Sequence, residues 1–151
     1  MQEQIIDIHR FKDWHKDELR RVTESGISQN NKNLILGFNR YLALESRSLP
    51  RRIKVLSSLK IIAKQLNKDF DKATKEDLMQ YVEYLEASDY REWTKYTFKS
   101  ILKVFYKWLK GNNEQYPEEV RWLKARRNKT NKLPEELLSK EDVVKLLNSC
   151  R

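Results

Sequence analysis

Between residues 30 and 46 the apolar positions Leu34, Ile35, Phe38, Tyr41 and Leu42 recur at intervals of three and four. That spacing keeps one face of an α-helix against a core. The same period runs through 12–24, with Phe11, Trp14, Leu19 and Val22 as its apolar positions, and through 50–67 with Ile53, Leu56, Leu59, Ala63 and Leu66. It returns at 75–87 in Leu78, Tyr81, Val82 and Leu85, and at 94–110 in Phe98, Ile101, Leu102, Phe105, Trp108 and Leu109. No strand-like alternation and no internal repeat interrupts it.

Local chemistry marks the ends of these segments. Gly26 fits the left-handed turn that closes a helix, and Gly111 stands where the fifth pattern stops. Ser48 precedes Pro50 as an N-cap with proline in the first turn. TKED at 74–77 reads as a capping box with Asp in the usual Glu position, and Thr94 stands as cap to the fifth helix. PEEVRWLK at 117–124 allows one or two helical turns, whereas 125–134 has no apolar period and reads as a linker. SKED at 139–142 then caps a helix still running at Arg151, as if a second domain were beginning. The expectation is an all-α fold, an orthogonal bundle of four to five helices over 26–112. An N-terminal helix or arm (1–25) precedes it; a short helix and basic linker (113–134) and the first helix of a further domain (135–151) follow.

Composition narrows the class. The 151 residues include three glycines, three prolines and one cysteine, Cys150, which cannot form an internal disulfide and suits a reducing cytosol. No apolar run reaches the roughly 18 residues of a membrane span, and the N-terminal stretch lacks the hydrophobic core of an export signal. The expected location is therefore cytoplasmic. A net charge of +9 suggests an anionic partner.

The distribution of that charge says more. From 47 to 68 there are seven basic residues and no acid, from 94 to 111 five and none, and from 121 to 132 six and none. The intervening 69–92 carries eight acids against three bases. Like charges at i,i+4 cost a helix a few tenths of a kcal/mol each, about 0.2–0.5, a penalty that a polyanion would relieve. On a helical wheel Lys54, Ser57, Ser58, Lys64 and Gln65 lie away from the core stripe of the third helix. Tyr96, Lys99, Ser100, Lys103, Lys107 and Lys110 lie opposite that of the fifth. Lysines reach phosphate oxygens, and small hydroxyl side chains allow close approach to a duplex. The candidate DNA contacts are Arg51, Arg52, Lys54, Ser57, Ser58 and Lys64 from the third helix. The fifth adds Lys95, Tyr96, Lys99, Ser100, Lys103 and Lys107, and the linker region adds Lys124, Arg126, Arg127 and Lys129.

EWTKYTFKSILKVFYKWLKG (92–111), YPEEVRWLKARR (116–127) and LPEELLSKEDVVKLL (133–147) together resemble the amino-terminal half of archaeal-type tyrosine recombinases, the phage-integrase family. RRIKVLSSLKIIAKQLNKDFDKATKEDLMQYVEYL (51–85) looks like the front of the same domain. The resemblance implies a SAM-like core-binding domain over roughly 25–127 that lies on one side of double-stranded DNA. A catalytic domain would close from the other side, and the full-length protein would assemble as a tetramer on its sites. It further implies a tyrosine nucleophile, an arginine-rich pocket with a His-x-x-Arg element, and no metal or nucleotide cofactor. No His-x-x-Arg occurs in this sequence and no tyrosine here matches the nucleophile, so the segment is expected to bind and not to cut.

Other chemistry finds little support. His9 and His15 lack zinc-ligand spacing, the glycines at 26, 37 and 111 form no phosphate loop, and Glu76/Asp77 and Glu135/Glu136 suit helix first turns. Rival readings are a helical module for an acidic protein partner and a stand-alone DNA-binding regulator.

Overall fold

A computed structural model describes residues 10–126, in which every regular element is a helix. The helices are α1 (Phe11–Glu24), α2 (Gln29–Leu44), α3 (Leu49–Leu66), α4 (Lys75–Ala87), α5 (Glu92–Lys110) and the single turn α6 (Glu118–Arg121). The all-α bundle expected from the periodicity is present. Arg127, Lys129 and the helix expected from 139 lie outside the described residues.

α3 is the central element and packs against α1, α2, α4 and α5. Leu56, Leu59 and Ile62 of its stripe are fully buried, as are Leu102 and Phe105 of α5. Around Phe105 the rings of Phe70, Phe38 and Trp108 gather with centroids 4.8, 5.4 and 5.9 Å away. Gly37 on α2 makes room for this cluster, since a Cβ there would stand 3.3 Å from the Trp108 ring.

Polar groups inside the bundle are all engaged, as burial demands. Asn31 of α2 donates to the Lys68 carbonyl (2.9 Å) and accepts from the Phe70 amide (2.8 Å), which pins the α3–α4 loop to α2. Tyr106, with no exposed surface, donates its hydroxyl to the Phe70 carbonyl at 2.6 Å. Burial of that phenol raises its pKa, so it remains a donor. Glu18 of α1, 4% exposed, lies 2.9 Å from Lys60 of α3 and 3.4 Å from Arg21.

The end signals fare unevenly. Thr74 and Asp77 form the capping box, and Lys68 bonding to the Asp77 carboxylate, followed by the Thr74 amide, draws its pKa below the ordinary value. Ser48 is the N-cap residue of α3 but its side chain accepts no capping bond. Gly26 is not left-handed, and α1 ends instead at Ser25 in extended conformation. Thr94 lies inside α5, which begins two residues earlier at Glu92. Trp14, read as a core position, is 55% exposed.

Candidate nucleic-acid interface

Two of the five lysines of α5, Lys99 and Lys110, find their acids on neighbouring elements and not on their own helix. Lys95 is 7% exposed, donates to the Glu86 carbonyl at 2.9 Å and lies 3.6 Å from the Glu92 carboxylate. It serves the α4–α5 junction and is unavailable to a ligand, a correction to its expected place among the DNA contacts. Lys99 is ion-paired with Glu86 of α4, and partial burial lowers its pKa from the ordinary lysine value. Lys110 meets Glu119 of α6 at 3.0 Å. Between them, Lys103 and Lys107 stand over the ring of Tyr116, 4.6 and 5.0 Å from its centroid. Gly111 makes the loop that brings Tyr116 there, since a Cβ at that position would collide with the Gln115 carbonyl oxygen.

This displacement has a geometric reason. Phe98, Ile101, Leu102, Phe105 and Tyr106 are all buried, so the core face of α5 is broad and reaches round to the side of Lys95. Cation–π contact leaves the ammonium charge of Lys103 and Lys107 intact, and among the described residues neither forms an ion pair with a carboxylate. The lysine row is thus open at its centre and closed at its ends.

On α3 the expected residues divide. Arg51, Lys54 and Lys64 are exposed. Ser58 is 3% exposed and turned into the bundle, a correction to the wheel reading, while Ser57 remains half-buried at a groove wall. Arg52 is also committed internally: its Nε donates to Asn39 Oδ1 at 3.1 Å and its Nη2 lies 3.3 Å from His15 Nε2. It joins three helices and cannot reach outward without breaking that bracket. Lys64 lines a hollow with Gly26, Ile27 and Ser28, on the α1–α2 side and away from α5.

Two open grooves mark the seam between α3 and α5. In one, Arg47, Arg51 and Val55 face Ile101 and Val104. In the other, Lys54, Ser57 and Ile61 face Thr94, Thr97 and Phe98. Later turns of α3 meet earlier turns of α5, so the two helices run antiparallel. Arg47 and Arg51 therefore border the same groove as Val104, the exposed neighbour of Lys103. Ser46 sets Arg47 in place: it adopts a left-handed φ of 59° and donates its amide to the Ala43 carbonyl, while the Arg47 amide bonds the Leu42 carbonyl at 3.0 Å. Arg47, Arg51 and Lys54 are exposed on the α3 side of these grooves, and on the outward face of α5 Ser100, Lys103 and Lys107 are half-exposed. Tyr96 is half-exposed beside Trp93, with ring centroids 5.4 Å apart.

Lys124 and Arg126 are exposed at the end of the described chain. Arg47 was absent from the wheel-derived contacts because it precedes the helix; only its place in the acid-free run signalled it. Glu86, Tyr116 and Glu119 were missed as partners of the lysine row. The acidic α4, sitting between two cationic helices in sequence, was the available signal.

Comparison of the chain with protein-family models, with curated proteins and with solved structures found no match.

Proposed function

We propose that this bundle binds double-stranded DNA along the α3–α5 seam, as the core-binding part of a site-specific tyrosine recombinase that clamps its site for a catalytic domain. The observation that carries the reading is a set of five cations that form no ion pair among the described residues: Arg47, Arg51 and Lys54 border the α3–α5 grooves, and Lys103 and Lys107 stand on the outward face of α5 beside Tyr116. Antiparallel helices with a cationic seam offer a ridge and two grooves to a phosphate backbone. The contacts are mainly to phosphate, so binding by this part has modest sequence preference. Lys124 and Arg126 extend the positive surface beyond α6. Binding without strand cleavage is the activity assigned to these residues, with self-association of the full-length protein on DNA. No described helix is long and apolar enough to cross a membrane, and the proposed location is the cytoplasm, at the nucleoid.

Salt dependence tests this. If the five seam cations each neutralise a phosphate, log K falls against log salt with a slope of about −4.5 for duplex DNA in an anisotropy titration. A flat response removes the reading.

A second reading, docking of a protein partner, is favoured by the groove of about 600 Å³ that α1 shares with the seam. Phe11, Trp14, Ile53 and Ile61 line it, with Trp14 more than half exposed. A protein-docking module would bind heparin and duplex DNA indifferently; a DNA-binding bundle prefers the duplex.

A further inference from the structure

We propose that Glu86 and Glu119 are built-in counterions that hold down the affinity of the α5 lysine row for phosphate. The inference rests on the DNA-binding reading and names a regulating element of the same surface. Lys99 and Lys110 stand at the two ends of the outward-facing row, and each is clamped by a carboxylate from a different neighbouring helix. Lys103 and Lys107, between them, stand over the uncharged ring of Tyr116 and form no ion pair among the described residues. The two carboxylates are not sealed inside the protein: the Glu86 side chain is 45% exposed and that of Glu119 is 22% exposed. Both lie at the edge of the surface that would receive DNA.

Two consequences follow for a polyanion. A phosphate approaching Lys99 or Lys110 must displace a carboxylate already in place or sit beside it as a like charge. In addition, a cation neutralised within the protein contributes little to the counterion release that drives phosphate binding. The Glu119 carboxylate is a persistent competitor. Its burial alone would raise its pKa, yet hydrogen bonds, including that from Lys110, hold the pKa below the usual glutamate value. The row therefore carries a latent capacity of two further phosphate contacts, suppressed by α4 and α6.

The test compares the wild-type chain with Glu86→Gln, Glu119→Gln and the double variant, titrated with a random-sequence duplex across a salt series. Glutamine keeps the shape and an acceptor for the lysine while removing the charge, and thermal melting monitors the fold. Each single variant should bind about threefold to tenfold more tightly at moderate salt, and the double variant should steepen the slope by about two. Adding Lys99→Gln to Glu86→Gln should return affinity to near wild type, because the gain acts through that lysine. If Glu86→Gln loosens the bundle, Glu119→Gln, whose carboxylate belongs to the single-turn α6, decides alone with a slope change of about one. Folded variants with unchanged affinity and slope, alongside a wild type that binds with strong salt dependence, overturn the counterion role and leave the DNA reading standing. A wild type with no salt-dependent duplex binding overturns both.

Discussion

Reversing the charge of Arg47 and Arg51 together, Arg47→Glu with Arg51→Glu, lowers duplex affinity by about thirtyfold or more and reduces the salt slope by about two. Both side chains are exposed, and neither joins an ion pair or side-chain hydrogen bond among the described residues, so the bundle should melt as the wild type does. They border one groove with Ile101 and Val104 of α5, the helix that carries the lysine row. The effect exceeds simple removal of two contacts because the introduced carboxylates repel the same phosphates. Arg52→Glu is the instructive contrast. It removes the bracket to Asn39 and His15 and should lower stability, so its binding defect carries no information about the interface. Anisotropy titration with parallel circular dichroism separates the two. Unchanged affinity in a folded double-reversal variant removes the seam from the binding surface.

Phe105→Ala lowers the stability of the bundle by about 3–5 kcal/mol, measured by urea denaturation. Its ring is fully buried and touches Phe38 of α2, Phe70 of the α3–α4 loop and Trp108 one turn along α5. Truncation opens a cavity where three elements converge, and a domain of this size has only about 5–15 kcal/mol in total. Under the proposed function the loss should weaken duplex binding too, because α5 forms one side of the grooves. DNA should restore part of the apparent stability by mass action, and the shift should shrink with added salt. A loss below about 1 kcal/mol would mean that the neighbouring rings close over the gap, and that Phe105 is not the centre of the packing.

Periodicity in threes and fours was enough to find the helices, because each buries one continuous stripe. It identified Phe98, Ile101, Leu102 and Phe105 correctly and missed Tyr106, which is fully buried with its hydroxyl donated to the Phe70 carbonyl. Charge sorting singled out α3 and α5 as acid-free helices but gave no view of the state of each cation. A wheel treats everything opposite the core stripe as solvent-facing. In a bundle, however, the flanks of a helix meet neighbours, and Lys95, Lys99 and Lys110 fall on flanks that α4 and α6 cover. Ser58 failed for the same reason on α3, where the boundary with α5 takes in its small side chain. Arg52 shows another limit, since its partners Asn39 and His15 come from two other helices and share no sequence signature with it. The acidic block at 69–92 did announce itself. Its purpose became legible only when Asp77 met Lys68 and Glu86 met Lys99.

In the proposed function the cations of α3 and the open centre of the α5 row act as one duplex-binding surface. Amide chemical-shift mapping of the isotope-labelled chain during titration with duplex DNA tests it most directly. The expected shifts concentrate at 46–57 and 97–107, grow together with saturation and fade with salt. Shifts confined to the exposed side of α4, around Glu76, Met79 and Glu83, or spread evenly with no cluster on α3, contradict it.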